Sequence, residues 1–135
     1  MYFEEPPADR HATIITVAMP RDTNALGDIF GGWLMSQADV AGAILAYKHA
    51  GGRVVTVAVE SFAFIAPVYV GDRASFYADL VRIGKTSVTI DVSIFAQSNW
   101  NEGALRRVAT ATMVYVHIGD DHRPTPIKKI GEGKN

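Results

Sequence analysis

The sequence predicts an α+β fold in which one long apolar helix lies over a strongly curved antiparallel sheet of five strands. The first observation is the apolar run over residues 29–47, whose only charged residue is Asp39. The second is that one β-rich run precedes this helix and four follow it. The third is that short turns join the later runs, which suits antiparallel hairpins and not parallel crossovers. A chain of 135 residues suits one domain over residues 1–135.

The composition excludes several classes of protein. Charged residues make up 20% of the chain and the net charge is −1, so neither nucleic acid nor an anionic membrane is favoured as a partner. The chain has no cysteine, which excludes disulfides, thiolate metal sites and a thiolate nucleophile. Its four histidines are scattered without metal-ligand spacing, and its first residues lack the pattern of a signal peptide. We expect a cytoplasmic protein with no metal, no nucleic-acid partner and no membrane insertion.

The first half of the chain predicts an arm, a strand, a loop and the helix. We expect a loose N-terminal arm over residues 1–11, a strand over 12–19, a loop over 20–27 and the helix over 28–50. Asp28 is the expected N-cap, and Gly51 with Gly52 the expected stop.

After the helix, alternating side chains predict four strands. They are expected over residues 53–64, 74–83, 88–97 and 105–118, with a polar turn over 99–103 and a polar C-terminal tail over 119–135. The helix is apolar over most of its circumference, so one sheet face cannot cover it. The sequence therefore predicts self-association.

Asp39 is the best single pointer to chemistry, because a lone carboxylate in an apolar helix is costly unless it is paired or used. On a helical wheel its neighbours are mostly small, namely Gly32, Ser36, Gly42, Ala43 and Ala46, with Met35 as the large exception. The bulky residues expected to anchor the opposite side in the core are Trp33, Leu34, Ile44 and Leu45. This arrangement leaves room beside the acid for a ligand or a partner backbone. The alternative is a structural acid that caps a loop or binds a buried water.

Gly27, Gly31 and Gly32 mark the start of the helix. A glycine-rich helix start presents free backbone N–H groups with the positive end of the helix dipole behind them. Such groups can bind an anion or stabilise a developing oxyanion. A tight packing turn would explain two adjacent glycines equally well, but Asp39 lies about two turns further along the same helix, which favours the functional interpretation.

The sequence also resembles a known family. The segment DTNALGDIFGGWLMSQAD, residues 22–39, resembles the signature of the YciA-type acyl-CoA thioesterases. The segments RVVTVAVES, residues 53–61, and PVYVGD, residues 67–72, resemble the next two blocks of that family. GKTS, residues 84–87, resembles the turn that helps to hold coenzyme A, and the whole match spans about residues 15–118.

The resemblance implies a hotdog fold, with a helix wrapped by a five-stranded antiparallel sheet. It implies dimers whose sheets join edge to edge, assembly into hexamers as trimers of dimers, and active sites at the dimer interface. By position, Asp39 matches the catalytic acid and Asn24 the polar residue supplied by the opposite subunit. Gly31 and Gly32 match the region that receives the thioester carbonyl. Leu26 departs from the family, because relatives often have a polar residue there.

The function implied is hydrolysis of acyl-CoA to free fatty acid and coenzyme A, a reaction of fatty acid metabolism. Asp39 would act as general base on water, or as a nucleophile that forms an anhydride, and Asn24 would orient the water or the carbonyl. No cofactor is expected, because coenzyme A is part of the substrate. Two alternatives stay open: a hotdog hydratase or dehydratase, which usually needs a histidine that this segment lacks, and a non-catalytic acyl-CoA-binding protein.

The turn at Gly84, Lys85, Thr86 and Ser87 is the expected site for coenzyme A. Lys85 would contact a phosphate, with Thr86 and Ser87 as hydrogen-bond donors. Taken without the resemblance, a solvated hairpin tip is the simpler explanation. Further cations that could contribute are Arg53, Arg82, Lys128 and Lys129.

Overall fold

The computed structural model describes residues 2–98 and 105–128, so the predicted turn over 99–103 and Lys129 lie outside the described residues. Within these residues one α-helix, α1, spans Gly31–Ala50, and a single 3-10 turn spans Pro20–Asp22. The strands are β1 (Ile14–Val17), β2 (Val54–Phe64), β3 (Asp72–Ile83), β4 (Ser87–Ser98) and β5 (Arg106–His117). They form one sheet in the order β1-β3-β4-β5-β2, and every pairing is antiparallel. The predicted fold class is confirmed.

The core lies between α1 and the concave face of the sheet. On β4 the side chains directed at the helix are fully buried aliphatics, namely Val88, Ile90, Val92 and Ile94. Their cross-strand partners on β5 are Tyr115, Met113, Ala111 and Ala109. The helix contributes the buried Leu34 and the small buried residues Ala38, Ala41 and Ala46. The alanines bring the helix axis close to the sheet.

The helix begins three residues later than predicted, and Asp28 is not its N-cap. The N-cap is Phe30, whose side chain makes no capping bond. The amide of Asp28 instead donates to Asn24 Oδ1 at 3.2 Å, because asparagine side chains readily bond to backbone amides just ahead of them in a loop. The predicted stop is confirmed: Gly51 has φ of 72° and closes the helix in the left-handed conformation.

The N-terminal arm is not loose, and that prediction is wrong. Phe3 packs edge-on against Tyr77 with ring centroids 6.3 Å apart, and Arg10 forms an ion pair with Asp79 at 2.9 Å. These contacts hold the arm on the convex face of the sheet. The polar composition of the arm suggested a loose segment, but the ring of Phe3 and the side chain of Arg10 both bury surface against the sheet.

The described part of the C-terminal tail crosses the surface and joins the sheet end. The amide of Ile127 donates to the carbonyl of Lys85 at 2.8 Å, and only 8% of Ile127 is exposed. The amide of Thr125 donates to the carbonyl of His117 at 2.8 Å. The segment thus ties the β3–β4 turn to the end of β5.

Strand β2 leaves an open edge, and one side of α1 has no cover. β2 pairs with β5 alone, with bulges between Thr56 and Ala58 and between Val59 and Ser61. Val57 on this strand is 54% exposed. On the helix, the exposed apolar residues are Val40, Ile44 and Tyr47. Ile44 was predicted in the core, but it is 51% exposed, because a single sheet covers only one side of a helix that is apolar all round. Within the described residues, no helix is long and apolar enough to cross a membrane.

Candidate active site

Asp39 lies near the middle of α1, half-buried, with its carboxylate facing β2. Thr56 Oγ1 donates a hydrogen bond to Asp39 Oδ1 at 2.6 Å. The phenol of Tyr115, on β5, also lies close enough to this carboxylate to interact with it. A pocket of about 260 Å³ opens here, lined by Gly32, Met35, Ser36, Asp39, Thr56, Val59 and Met113. The carboxylate is thus held by Thr56 at one oxygen and borders an open pocket.

A second pocket starts at Asp39 and follows the uncovered side of α1. It has a volume of about 470 Å³ and is lined by Asp39, Val40, Ala43, Ile44 and Tyr47. Apart from the carboxylate, these side chains are apolar or aromatic. Asp39 therefore stands between a small pocket at the helix start and a longer apolar groove.

Beneath Asp39, the phenol of Tyr115 supports the helix from β5. Its hydroxyl donates to the main-chain carbonyl of Asp39 at 2.8 Å. Burial, reinforced by the nearby Asp39 carboxylate, raises the pKa of Tyr115 far above its usual value. The phenol therefore stays neutral and keeps its donor proton.

The small residues predicted beside Asp39 leave open space on only one side of it. Gly32 and Ser36 do line its pocket, as does the larger Met35. Gly42 and Ala46 instead turn into the core and are buried. A Cβ on Gly42 would lie 2.2 Å from the hydroxyl oxygen of Tyr115, so a protein side chain already fills that space.

Gly31 and Gly32 are the first two residues of α1, where backbone N–H groups have no partner within the helix. Gly32 lines the pocket of Asp39, as predicted. Gly31 faces the ring of Phe64, which would lie 3.1 Å from an added Cβ. The N–H groups and the positive end of the helix dipole can stabilise negative charge that develops near Gly32.

Asn24 lies in the loop before the helix and does not share a pocket with Asp39 in one protomer. Its Oδ1 accepts from the amides of Leu26 at 2.9 Å and Asp28 at 3.2 Å. It lines a separate pocket of about 310 Å³ that also contains Gly31 and Phe64. With Oδ1 engaged, the Nδ2 amide is the group that can donate to a bound molecule.

The predicted coenzyme A turn forms the tip of the β3–β4 hairpin. The amide of Gly84 donates to the carbonyl of Ser87 at 2.8 Å, while the side chain of Lys85 is exposed. The carbonyls of Lys85 and Thr86 accept from Ile127 and His117, so Lys128 lies beside the turn. In one protomer the turn lines neither pocket of Asp39.

Two other predicted cations already have surface partners. Arg53 pairs with Asp120 at 3.2 Å, and Arg82 lies 3.9 Å from Glu60. Such exposed ion pairs are weak, so either arginine could exchange its partner for a phosphate at little cost.

Thr56 is the residue of this site that sequence reasoning missed. A signal was present, because it is a hydroxyl within the apolar run of residues 54–59 on the strand that follows the helix. Its pairing with Asp39, however, depends on where the strand returns along the helix, which the local pattern does not give.

Comparison with known proteins identifies the family. Residues 26–99 match the model of the thioesterase superfamily. The chain is 48% identical over 118 residues to the acyl-CoA thioester hydrolase YciA of Salmonella typhimurium, covering 86% of this chain and 89% of the relative. The chain belongs to the thioesterase superfamily. The resemblance to its YciA-type members is thereby confirmed.

Solved structures of this family share the same fold. A hexameric thioesterase from Yersinia pestis superposes with a TM-score of 0.83 and 41% identity, covering 91% of this chain and 99% of that one. A hexameric hotdog-fold thioesterase of Campylobacter jejuni gives a TM-score of 0.84 and 38% identity, covering 90% of this chain and 93% of the other. The arrangement of α1 and its five-stranded sheet is therefore the hotdog fold.

Proposed function

We propose that this thioesterase hydrolyses acyl-CoA to a free fatty acid and coenzyme A, with Asp39 as the catalytic group. The observation that carries the proposal is the Asp39 carboxylate, which Thr56 holds at Oδ1 and which faces a pocket reaching Gly32 at the helix start. An acid beside unpartnered backbone N–H groups matches the needs of acyl transfer, namely a base and an oxyanion site. The name of the Salmonella relative supports acyl-CoA as the substrate class.

In the reaction, Asp39 Oδ2 takes a proton from water as the water oxygen bonds to the thioester carbonyl carbon. The negative charge that forms on the carbonyl oxygen is stabilised by the N–H groups of Gly31 and Gly32. The C–S bond then breaks, and the sulfur of coenzyme A leaves with the proton that Asp39 held. In the covalent variant, the carboxylate attacks the same carbon, the C–S bond breaks and coenzyme A leaves as a thiolate that takes a proton from solvent; water then hydrolyses the anhydride to the fatty acid and the free Asp39 carboxylate.

The complete site is shared by two subunits. The open edge of β2 and the uncovered apolar side of α1 suit pairing with a second copy. Asn24 and Asp39 line different pockets of one protomer, which favours a site in which Asn24 comes from the opposite subunit. Its Nδ2 would then donate to the carbonyl or to the water. The hexameric relatives from Yersinia and Campylobacter support a hexamer, which would form as a trimer of such dimers.

Coenzyme A would be held by the turn at Gly84, Lys85, Thr86 and Ser87. The exposed ammonium of Lys85 can contact a phosphate, and the turn leaves the hydroxyls of Thr86 and Ser87 as donors. Lys128 lies beside this turn through the bond between Ile127 and Lys85, so it can add a second cation. The acyl chain would occupy the apolar groove along Val40, Ile44 and Tyr47, enclosed between α1 and the second copy that covers this side of the helix.

The test is release of free thiol from acyl-CoA substrates of short, medium and long chain, with Asp39→Asn as the matched variant. We expect the wild type to release thiol and the variant to lose turnover by at least about a hundredfold while staying folded. Near-normal turnover in Asp39→Asn would remove the acid from catalysis. Hydration of enoyl-CoA would indicate the hydratase, and tight acyl-CoA binding without thiol release would indicate a binding protein.

A further inference from the structure

Two atoms of Asp39 are held by one pair of neighbouring strand residues. Thr56 on β2 is directly opposite Tyr115 on β5, and opposed residues on antiparallel strands point to the same face of the sheet. Thr56 donates to the carboxylate at 2.6 Å, and Tyr115 donates to the main-chain carbonyl of the same residue at 2.8 Å. One cross-strand pair, Thr56 and Tyr115, therefore holds both the side chain and the backbone of Asp39.

Gly42 makes the second of these contacts possible. It lies three residues after Asp39 and is buried, where an added Cβ would stand 2.2 Å from the hydroxyl oxygen of Tyr115 and 3.0 Å from its ring carbon Cζ. Glycine in a helix interior is less favourable than alanine. Here it allows the phenol to pass beneath the helix and reach the carbonyl.

We propose that Tyr115 and Gly42 position the catalytic acid. They set the distance between α1 and β5 and the rotation of α1 about its own axis. The inference rests on the proposed function. Tyr115 does not line the pocket of Asp39, although its hydroxyl lies 3.5 Å from the sulfur of Met113, which does. Tyr115 is therefore a positioning residue. Because the phenol is completely buried, water cannot replace the lost hydroxyl without opening the core.

The first test is Tyr115→Phe, with Tyr77→Phe as the matched control. Tyr77 is also buried, at 8% exposed, but it lies under the N-terminal arm on the other face of the sheet. A displacement of about 1 Å at a reacting group can cost up to about a hundredfold in rate. We expect kcat for thiol release to fall about tenfold in Tyr115→Phe with KM unchanged within about twofold, and both constants to be normal in Tyr77→Phe. A lower Tm with normal kcat in Tyr115→Phe would overturn the proposal.

The second test uses the contact between the two residues. Gly42→Ala must displace either the phenol or the helix, so we expect its kcat to fall more than that of Tyr115→Phe. The double variant Gly42→Ala/Tyr115→Phe removes the oxygen that the new methyl group would meet at 2.2 Å. We therefore expect its kcat to exceed that of Gly42→Ala alone. Losses that simply multiply would contradict a joint role for the two residues.

A third measurement does not depend on activity. The carboxyl carbon of Asp39 can be followed by 13C NMR in the free protein, where its chemical shift reports the surroundings of the acid. We expect this resonance to move in Tyr115→Phe and to stay in place in Tyr77→Phe. An unmoved resonance in Tyr115→Phe would overturn the positioning role. If the wild type released no thiol, the proposed function would fail while this comparison still decided the inference.

Discussion

Replacing Thr56 by valine tests how the Asp39 carboxylate is held. Valine keeps the shape of threonine and removes the hydroxyl that donates to Oδ1 at 2.6 Å. A hydrogen bond to a charged group contributes about 1.5–3 kcal/mol. Thr56 is exposed and Asp39 half-buried, so water replaces part of the bond and the lower end applies. A loss of about 1.4 kcal/mol in the transition state lowers kcat about tenfold.

The assay is steady-state thiol release from one acyl-CoA, with Thr56→Ser as the control that retains the hydroxyl. We expect KM to be nearly unchanged in both variants, because the hydroxyl holds the acid and not the substrate. Serine should keep most of the wild-type kcat. A kcat for Thr56→Val equal to that of Thr56→Ser would refute the role given to this hydrogen bond.

Three further changes test the other parts of the structure. Lys85→Glu should raise KM for acyl-CoA more than it lowers kcat, because it places an anion where a phosphate is expected to bind; an unchanged KM would remove this lysine from the site. Val57→Lys should shift the protein to smaller assemblies in size-exclusion chromatography with light scattering, whereas Val81→Lys, at a similarly exposed valine away from the β2 edge, should not. Arg106→Met should lower the free energy of unfolding in urea by about 1.5–3 kcal/mol, because the buried Asp72 carboxylate loses the guanidinium at 2.6 Å and keeps the amide of Tyr69 at 3.0 Å; a change below about 0.5 kcal/mol would contradict a stabilising role for this ion pair.

The sequence predicted what depends on neighbouring residues. The apolar run with its single charge located α1, Gly51 located its end, and alternating side chains located the strands to within a few residues. Asp39 stood out because an isolated charge in such a run is rare, and Gly32 because it lies two turns before that acid. Each of these inferences needs only the periodicity of one element.

What the sequence did not predict depends on contacts between distant residues. Thr56 meets Asp39, and Tyr115 fills the space beside Gly42, only because β2 and β5 return along the helix in a particular register. The start of the helix was misplaced because Asn24 takes the amide of Asp28. The core position predicted for Ile44 was wrong because an apolar residue has the same character in the sequence whether it packs against the sheet or lies exposed beside it.

The open edge of β2 has a consequence for the newly made chain. Its 11 residues contain one charge, Glu60, and neither lysine nor proline, the residues that usually discourage pairing by a foreign strand. Until the proposed second copy covers it, this edge can pair with another extended chain, with its two bulges as the remaining obstacle. Low concentration would then be hazardous for this protein, because dilution lengthens the time that each subunit spends with its edge unpaired. Correct assembly then depends on whether the β2 edge pairs with another copy of this chain before it pairs with a strand of a different protein.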